Sequence, residues 1–200
     1  VIVGGKSVGD VVELLGDGRQ FGLDLTYRYQ EGAKGIAHAI GLARGFDEYD
    51  DAMSKDEGVN YDFAERRARD VVDAATRWMS VNPGPVFVWV HLFDPHAPYD
   101  PPPEFRTDDP YSDEIAATDV AVSTLISAWD ARAGGSMVVA TSDHGEAFGE
   151  HGEWSHSLFI YDTTLHVPLL VRAKGFAAGT RSRARVGLTD IAATVLEAAG

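Results

Sequence analysis

The sequence predicts an α/β fold, and three observations carry that prediction. Short apolar, β-prone runs (Val86–Val90 within VFVWVHLF, Met137–Ala140, and VPLLVRA from Val167) are continuous enough to lie in a sheet covered on both faces. Segments with apolar residues at the helical period alternate with them. Two of the runs stop abruptly at carboxylates and imidazoles, where open α/β sheets present their ligands. The chain of 200 residues makes one domain of ordinary size, able to bury roughly 70% of its unfolded surface.

In chain order, Val1 to Gly5 read as a short strand and Val8 to Leu15 as a helix closed by Gly16 and Gly18. Leu23, Leu25 and Tyr27 alternate with Asp24, Thr26 and Arg28, the pattern of a half-buried strand, and Ile36 to Ala43 return to a helical period. From Gly41 the text GLARGFDEYDDAMSKDEGVNYD is acidic and poor in apolar residues, an exposed connection. Asn60 or Asp62 caps a helix that puts Ala64, Ala68, Val71, Val72, Ala75, Trp78 and Met79 on one face and turns Arg66, Arg67 and Arg69 to solvent. Pro83 and Pro85 end it, and VFVWVHLF follows as a buried strand.

That strand leads into DPHAPYDPPPEF, where prolines at 95, 98 and 101–103 stiffen the loop and hold His96 in a fixed direction. Asp113 to Ala131 form a helix with Ile115, Val122, Ile126 and Trp129 on one face. The strand Met137–Ala140 then delivers Asp143 and His144 at its carboxyl end. Between them, Asp143, His144, Glu146, Glu150, His151, Glu153 and His156 supply enough donors for a divalent cation, and the plainer reading is an acidic surface loop with a few histidines. Leu158 to Leu165 continue as loop or short helix, VPLLVRA is a third strand, and Gly175 to Arg185 form a basic hairpin. Thr189 or Asp190 caps a last helix, IAATVLEAA. His38, His91 and His166 lack ligand-like neighbours and read as structural.

Composition narrows the function classes. A formal charge of -14 argues against a nucleic-acid partner, because phosphate contacts need a basic face. With no cysteine, thiol nucleophiles and Cys-ligated zinc are excluded. No apolar run is long enough to span a bilayer, and no charged n-region with an apolar h-region opens the chain, so the compartment stays open. Aspartate outnumbers glutamate and lysine is confined to Lys6, Lys34, Lys55 and Lys174, a halophile-type surface whose self-repulsion salt would screen.

Two resemblances add to this reading. VIVGGKSVGDVVELLGDGRQFGLDLTYRYQEGAKGIAHAIGLA resembles an internal stretch of nucleotidyltransferases of the glucose-1-phosphate thymidylyltransferase type, which implies that Gln30 and Gly35 touch a nucleotide base. The alternative is an αβ piece in which they have no such role, since the Gly-rich phosphate loop and metal-binding aspartates of that family are missing. GLARGFDEYDD, HLFDPHAPYDPPPEF, TSDHGEAFGEHGEWSH and YDTTLHVPLLV, in this order, resemble the sulfatases of the alkaline phosphatase superfamily. Residues 1–43 and 44–200 therefore read as two segments, the second an incomplete sulfatase-like domain.

The sulfatase resemblance implies a mixed, largely parallel sheet flanked by helices, alkaline phosphatase-like and truncated, acting on sulfate or phosphate esters. It makes Asp143 a metal ligand and puts His144 where many sulfatases have asparagine. Calcium is the family's ion, with manganese or zinc open because imidazole suits them better. His96 corresponds to a histidine that donates hydrogen bonds to the sulfate group or leaving oxygen. His156 falls where the family has a sulfate-contacting lysine. Glu146, Glu150, His151 and Glu153 fall back to an outer layer or the surface. The Cys-x-Pro-x-Arg or Ser-x-Pro-x-Arg motif that yields the family's formylglycine nucleophile is absent, as are the paired aspartates that complete its metal site. A piece of a longer enzyme, a fusion and a misassembled sequence each fit; the shared word GLAR at the joint favours a fusion or misassembly over a natural two-domain protein. The expectation is weak divalent-ion binding without turnover.

Overall fold

The computed structural model describes residues 2–3, 28–29, 46–50, 66–132, 137–156 and 159–199. The expected helices at 8–15 and 36–43, the caps Asn60 and Asp62, and the positions Gln30 and Gly35 lie outside them. The chain divides into two compact units, one of residues 1–72 and 90–121 and the other of 73–89 and 122–200. No helix among the described residues is long and apolar enough to cross a membrane.

In the first unit, β1 (Ile2–Val3) pairs in parallel with β2 (Arg28–Tyr29), Ile2 opposite Arg28 and Val3 opposite Tyr29. Helix α1 (Ala68–Val81) begins where the Asp94 carboxylate accepts the Ala68 N–H at 2.7 Å, meeting one of the orphan donors of a helix N-terminus. The cap is thus a carboxylate distant in sequence. Ala68, Val72 and Met79 are buried along it, as the helical period predicts. Its arginines are not simply solvated. Arg66 pairs with Asp50 at 3.1 Å, and Arg67 pairs with Asp100 at 2.7 Å, because acidic loops pass within reach of the helix start.

Helix α2 (Pro110–Asp130) is built at its start for capping: Asp109 accepts the Ser112 N–H at 3.2 Å and the Ser112 hydroxyl at 2.6 Å, and Pro110 needs no partner in the first turn. The Ser112 hydroxyl holds the Asp109 carboxyl below its usual range, so this cap strengthens the helix at neutral pH and fades as pH falls through that lowered value. The buried positions of α2 are Asp113, Glu114 and Ala121, whereas Ile115, expected inside, is exposed. Hydrogen bonding decides this. Asp113 accepts the Thr107 N–H at 2.6 Å and hydroxyl at 2.8 Å, and such bonds make a buried carboxylate tolerable.

In the second unit, β3 (Val138–Thr141) pairs antiparallel with β4 (Leu169–Arg172), Val139 facing Val171 and Ala140 facing Leu170. Arg172 binds Asp130 through both guanidinium nitrogens, fixing β4 to the end of α2. Helix α3 (Asp162–Leu165) is a single turn, and α4 (Thr189–Ala199) starts where Asp190 reaches back to the Gly187 N–H at 2.8 Å. Val139, Leu169, Val171, Val186 and Ile191 line a small apolar cavity of about 50 Å³, so α4 lies over this ladder.

Three expectations are corrected here. VFVWVHLF forms no strand: residues 86–93 belong to no regular element, and Phe87 and Trp89 are 62% and 54% exposed. Prolines 83, 85 and 95 remove ladder donors at both its ends, and apolar composition alone does not make a strand. The described ladder of the second unit is antiparallel, which a mixed sheet allows, but β4 is largely exposed instead of covered on both faces. Residues 173–187 form turns at Gly175 and Gly179 with no strands, so the hairpin is absent.

Candidate functional site

The loop of candidate ligands leaves β3 at Ser142, whose hydroxyl donates to the His144 carbonyl at 2.5 Å and folds the chain back on itself. Asp143 Oδ1 accepts the His144 N–H at 3.0 Å. Its Oδ2 lies 3.8 Å from His144 Nε2. His144 Nδ1 faces the Gly145 carbonyl at 2.9 Å; a carbonyl only accepts, so Nδ1 carries the proton, and in the neutral ring Nε2 holds the lone pair. A carboxylate oxygen and an imidazole lone pair at that separation can share one cation, with bonds of roughly 2.0–2.6 Å to each. Among the described residues no group of three or more candidate ligands is gathered around one point.

The His156 ring stacks on His144, centroids 3.9 Å apart. Its Nδ1 donates to both oxygens of Glu146 at 3.1 Å, and the Glu146 side chain is only 8% exposed. Glu146 is therefore the direct hydrogen-bond partner of His156. The signal was in the sequence: a carboxylate two residues after His144 lies on the same side of an extended loop.

The remaining acidic and imidazole groups build the loop. Gly149 and Gly152 take positive φ of 103° and 77°, and the Gly149 N–H reaches the Glu153 carbonyl at 2.8 Å. Glu153 is buried and accepts the Phe159 N–H at 3.3 Å. His151 stacks on Tyr161 at 4.1 Å, and the Phe148 N–H holds the Glu150 carboxyl below its usual range. The segment before β4 closes over the loop, the Gly145 N–H donating to the Thr164 carbonyl at 2.9 Å. Thus TSDHGEAFGEHGEWSH and YDTTLHVPLLV are one packed structure.

His96 belongs to the first unit. Its backbone N–H donates to Glu114 at 3.2 Å, its Nδ1 meets the Ala97 carbonyl at 2.6 Å, and its ring stacks on Phe93 at 4.3 Å. The fixed direction expected from the prolines is thus supplied by hydrogen bonding and stacking. Gln30 and Gly35 lie outside the described residues.

Comparison with known proteins bears on what such a site does. The sulfatase family model matches residues 22–200, across Gln30, Gly35 and the GLAR word. Arylsulfatase K of Bos taurus is 38% identical over 65 residues, 32% of this chain and 12% of that protein. Iduronate 2-sulfatase of Homo sapiens is 36% identical over 86 residues, 40% of this chain and 16% of that protein. The matched segments thus span 12% and 16% of the length of these relatives. No solved structure matches significantly. With nearly the whole chain under one family model, and with the Asp143–His144 loop inside it, the chain belongs to the sulfatase family.

Proposed function

We propose that this chain forms the cation-holding and sulfate-contacting part of a hydrolase of sulfate esters. The observation that carries the reading is the pair of donors at the end of β3, Asp143 Oδ2 and His144 Nε2, 3.8 Å apart, with the His144 tautomer set by Gly145. A bound divalent cation, calcium in this family's habit, would offset the charge on the ester oxygens. Asp143 and His144 would hold it. His156, oriented by Glu146, would contact an ester oxygen, and His96 would direct a hydrogen bond to the sulfate or to the departing alcohol. With no cysteine and no Ser-x-Pro-x-Arg motif, these residues bind and orient but do not attack.

Calcium, manganese or zinc is expected to stabilise the 200-residue chain, by about 1.4 kcal/mol at tenfold its Kd. Thermal denaturation with and without each ion measures this, and Asp143→Ala and His144→Ala should each abolish it. A nucleoside triphosphate should have no such effect; stabilisation by it alone would favour a nucleotide-binding reading based on Gln30 and Gly35. Aryl sulfate and aryl phosphate should not be turned over by the chain alone. Robust hydrolysis lost in Asp143→Ala would show that a nucleophile is present after all.

A further inference from the structure

We propose that Glu114 is a positioning residue for His96, its buried carboxylate clamping the loop that presents the imidazole to the ester. This rests on His96 being a sulfate contact. Glu114 is 3% exposed in the first turns of α2. Oε2 accepts the His96 N–H at 3.2 Å and Oε1 accepts the Asp100 N–H at 2.6 Å, so one carboxylate gathers two amides of the same loop. The ends of that loop are tied separately: Asp94 caps α1 through Ala68, and Asp100 is held by Arg67 and Arg106, each at 2.7 Å. Glu114 is the group that reaches the middle, beside the histidine.

A carboxylate is a costly choice for such a place. Burial pushes the Glu114 carboxyl above its usual value of 4.5 and Asp94 adds to this, while the Asp100 and His96 amides and Arg67 oppose it. The charged groups around it are Asp94, Asp100 and His96 on the loop and Arg67 at the start of α1. Because its folded pKa is raised, the native state holds this proton more tightly than the unfolded chain, so ionising Glu114 lowers stability as pH rises above 4.5. The form that accepts both amides is therefore the form the fold tolerates less well. Such a trade is expected where order at a site matters more than stability.

Binding of inorganic sulfate to the 200-residue chain, in calcium, tests the proposal by titration calorimetry. Glutamine offers one acceptor and turns a donor toward the other amide, so Glu114→Gln should raise the sulfate Kd about tenfold, with the His96 amide losing protection from hydrogen exchange. His96→Ala should weaken binding similarly, and the double variant should be no worse than His96→Ala. The decline of stability as pH rises past 4.5 should also flatten in Glu114→Gln. Additive losses, or a Glu114→Gln variant that binds sulfate normally while His96→Ala does not, overturn the role of Glu114 alone. Unchanged binding in His96→Ala, or no binding by the parent chain, overturns the His96 reading and this proposal with it.

Discussion

Gly145→Ala is expected to cost about 3 kcal/mol, the upper end for overpacking, and to abolish the response to divalent cations. A Cβ on Gly145 would lie 2.2 Å from the Thr163 carbonyl oxygen, 3.2 Å from its carbon and 3.4 Å from Thr164 Cα. All three are backbone atoms, so no rotamer change relieves the clash. The same backbone is bonded to Gly145 through the Thr164 carbonyl at 2.9 Å, and moving it away breaks that bond. His144 and Glu146 flank Gly145, so any displacement also separates Asp143 from His144 and Glu146 from His156. Gly152→Ala is the control. Nothing lies near its Cβ, but its φ of 77° is left-handed. It should lose about 1 kcal/mol while keeping its cation response. Melting curves with and without calcium distinguish the two variants. An unperturbed Gly145→Ala would mean that residues 161–165 do not pack on the ligand loop.

This close approach was not legible in the sequence, which shows Gly145 only as a glycine between His144 and Glu146. What patterns reveal is local. The helical period of Val71, Val72, Ala75 and Met79 identifies α1, and Asp143–His144 after a β-prone run marks a candidate site, because both depend on neighbours along the chain. What they hide is long-range pairing. Arg67 looks like one more surface arginine until Asp100 arrives from a loop, and Glu114 looks like a helix-surface acid until two loop amides converge on it. VFVWVHLF fails for the converse reason: its composition is that of a strand, but composition alone does not place a segment in a ladder. The role of Glu146 was half visible, its place fixed by spacing and its bond to His156 only by the fold.

The other large effect is expected at Arg132, where Arg132→Ala should destabilise the chain by roughly 2–4 kcal/mol, given about 1.5–3 kcal/mol for a hydrogen bond to a charged group and partial replacement by water. Helix α1 has no basic residue in its last turn, so its terminal carbonyls need partners from elsewhere. Asn82 supplies one bond, to the Trp78 carbonyl at 3.0 Å. Arg132 supplies three, to the carbonyls of Met79 at 2.5 Å, Asn82 at 2.6 Å and Gly84 at 2.7 Å, with its guanidinium 5.8 Å from the Trp129 ring centroid. A planar fork with fixed donors suits three converging carbonyls, and its charge complements the negative end of the helix dipole. Arg132→Lys keeps the charge but brings its donors to a single point, so it should recover less than half of the loss. Urea unfolding with an unchanged m-value would give these differences directly. Since Arg132 holds α1 and takes no part in cation binding, the folded fraction of Arg132→Ala should still respond to calcium, unlike Gly145→Ala. A variant within about 0.5 kcal/mol of the parent, the range of an ordinary surface substitution, would show that water caps this helix as well as the guanidinium does.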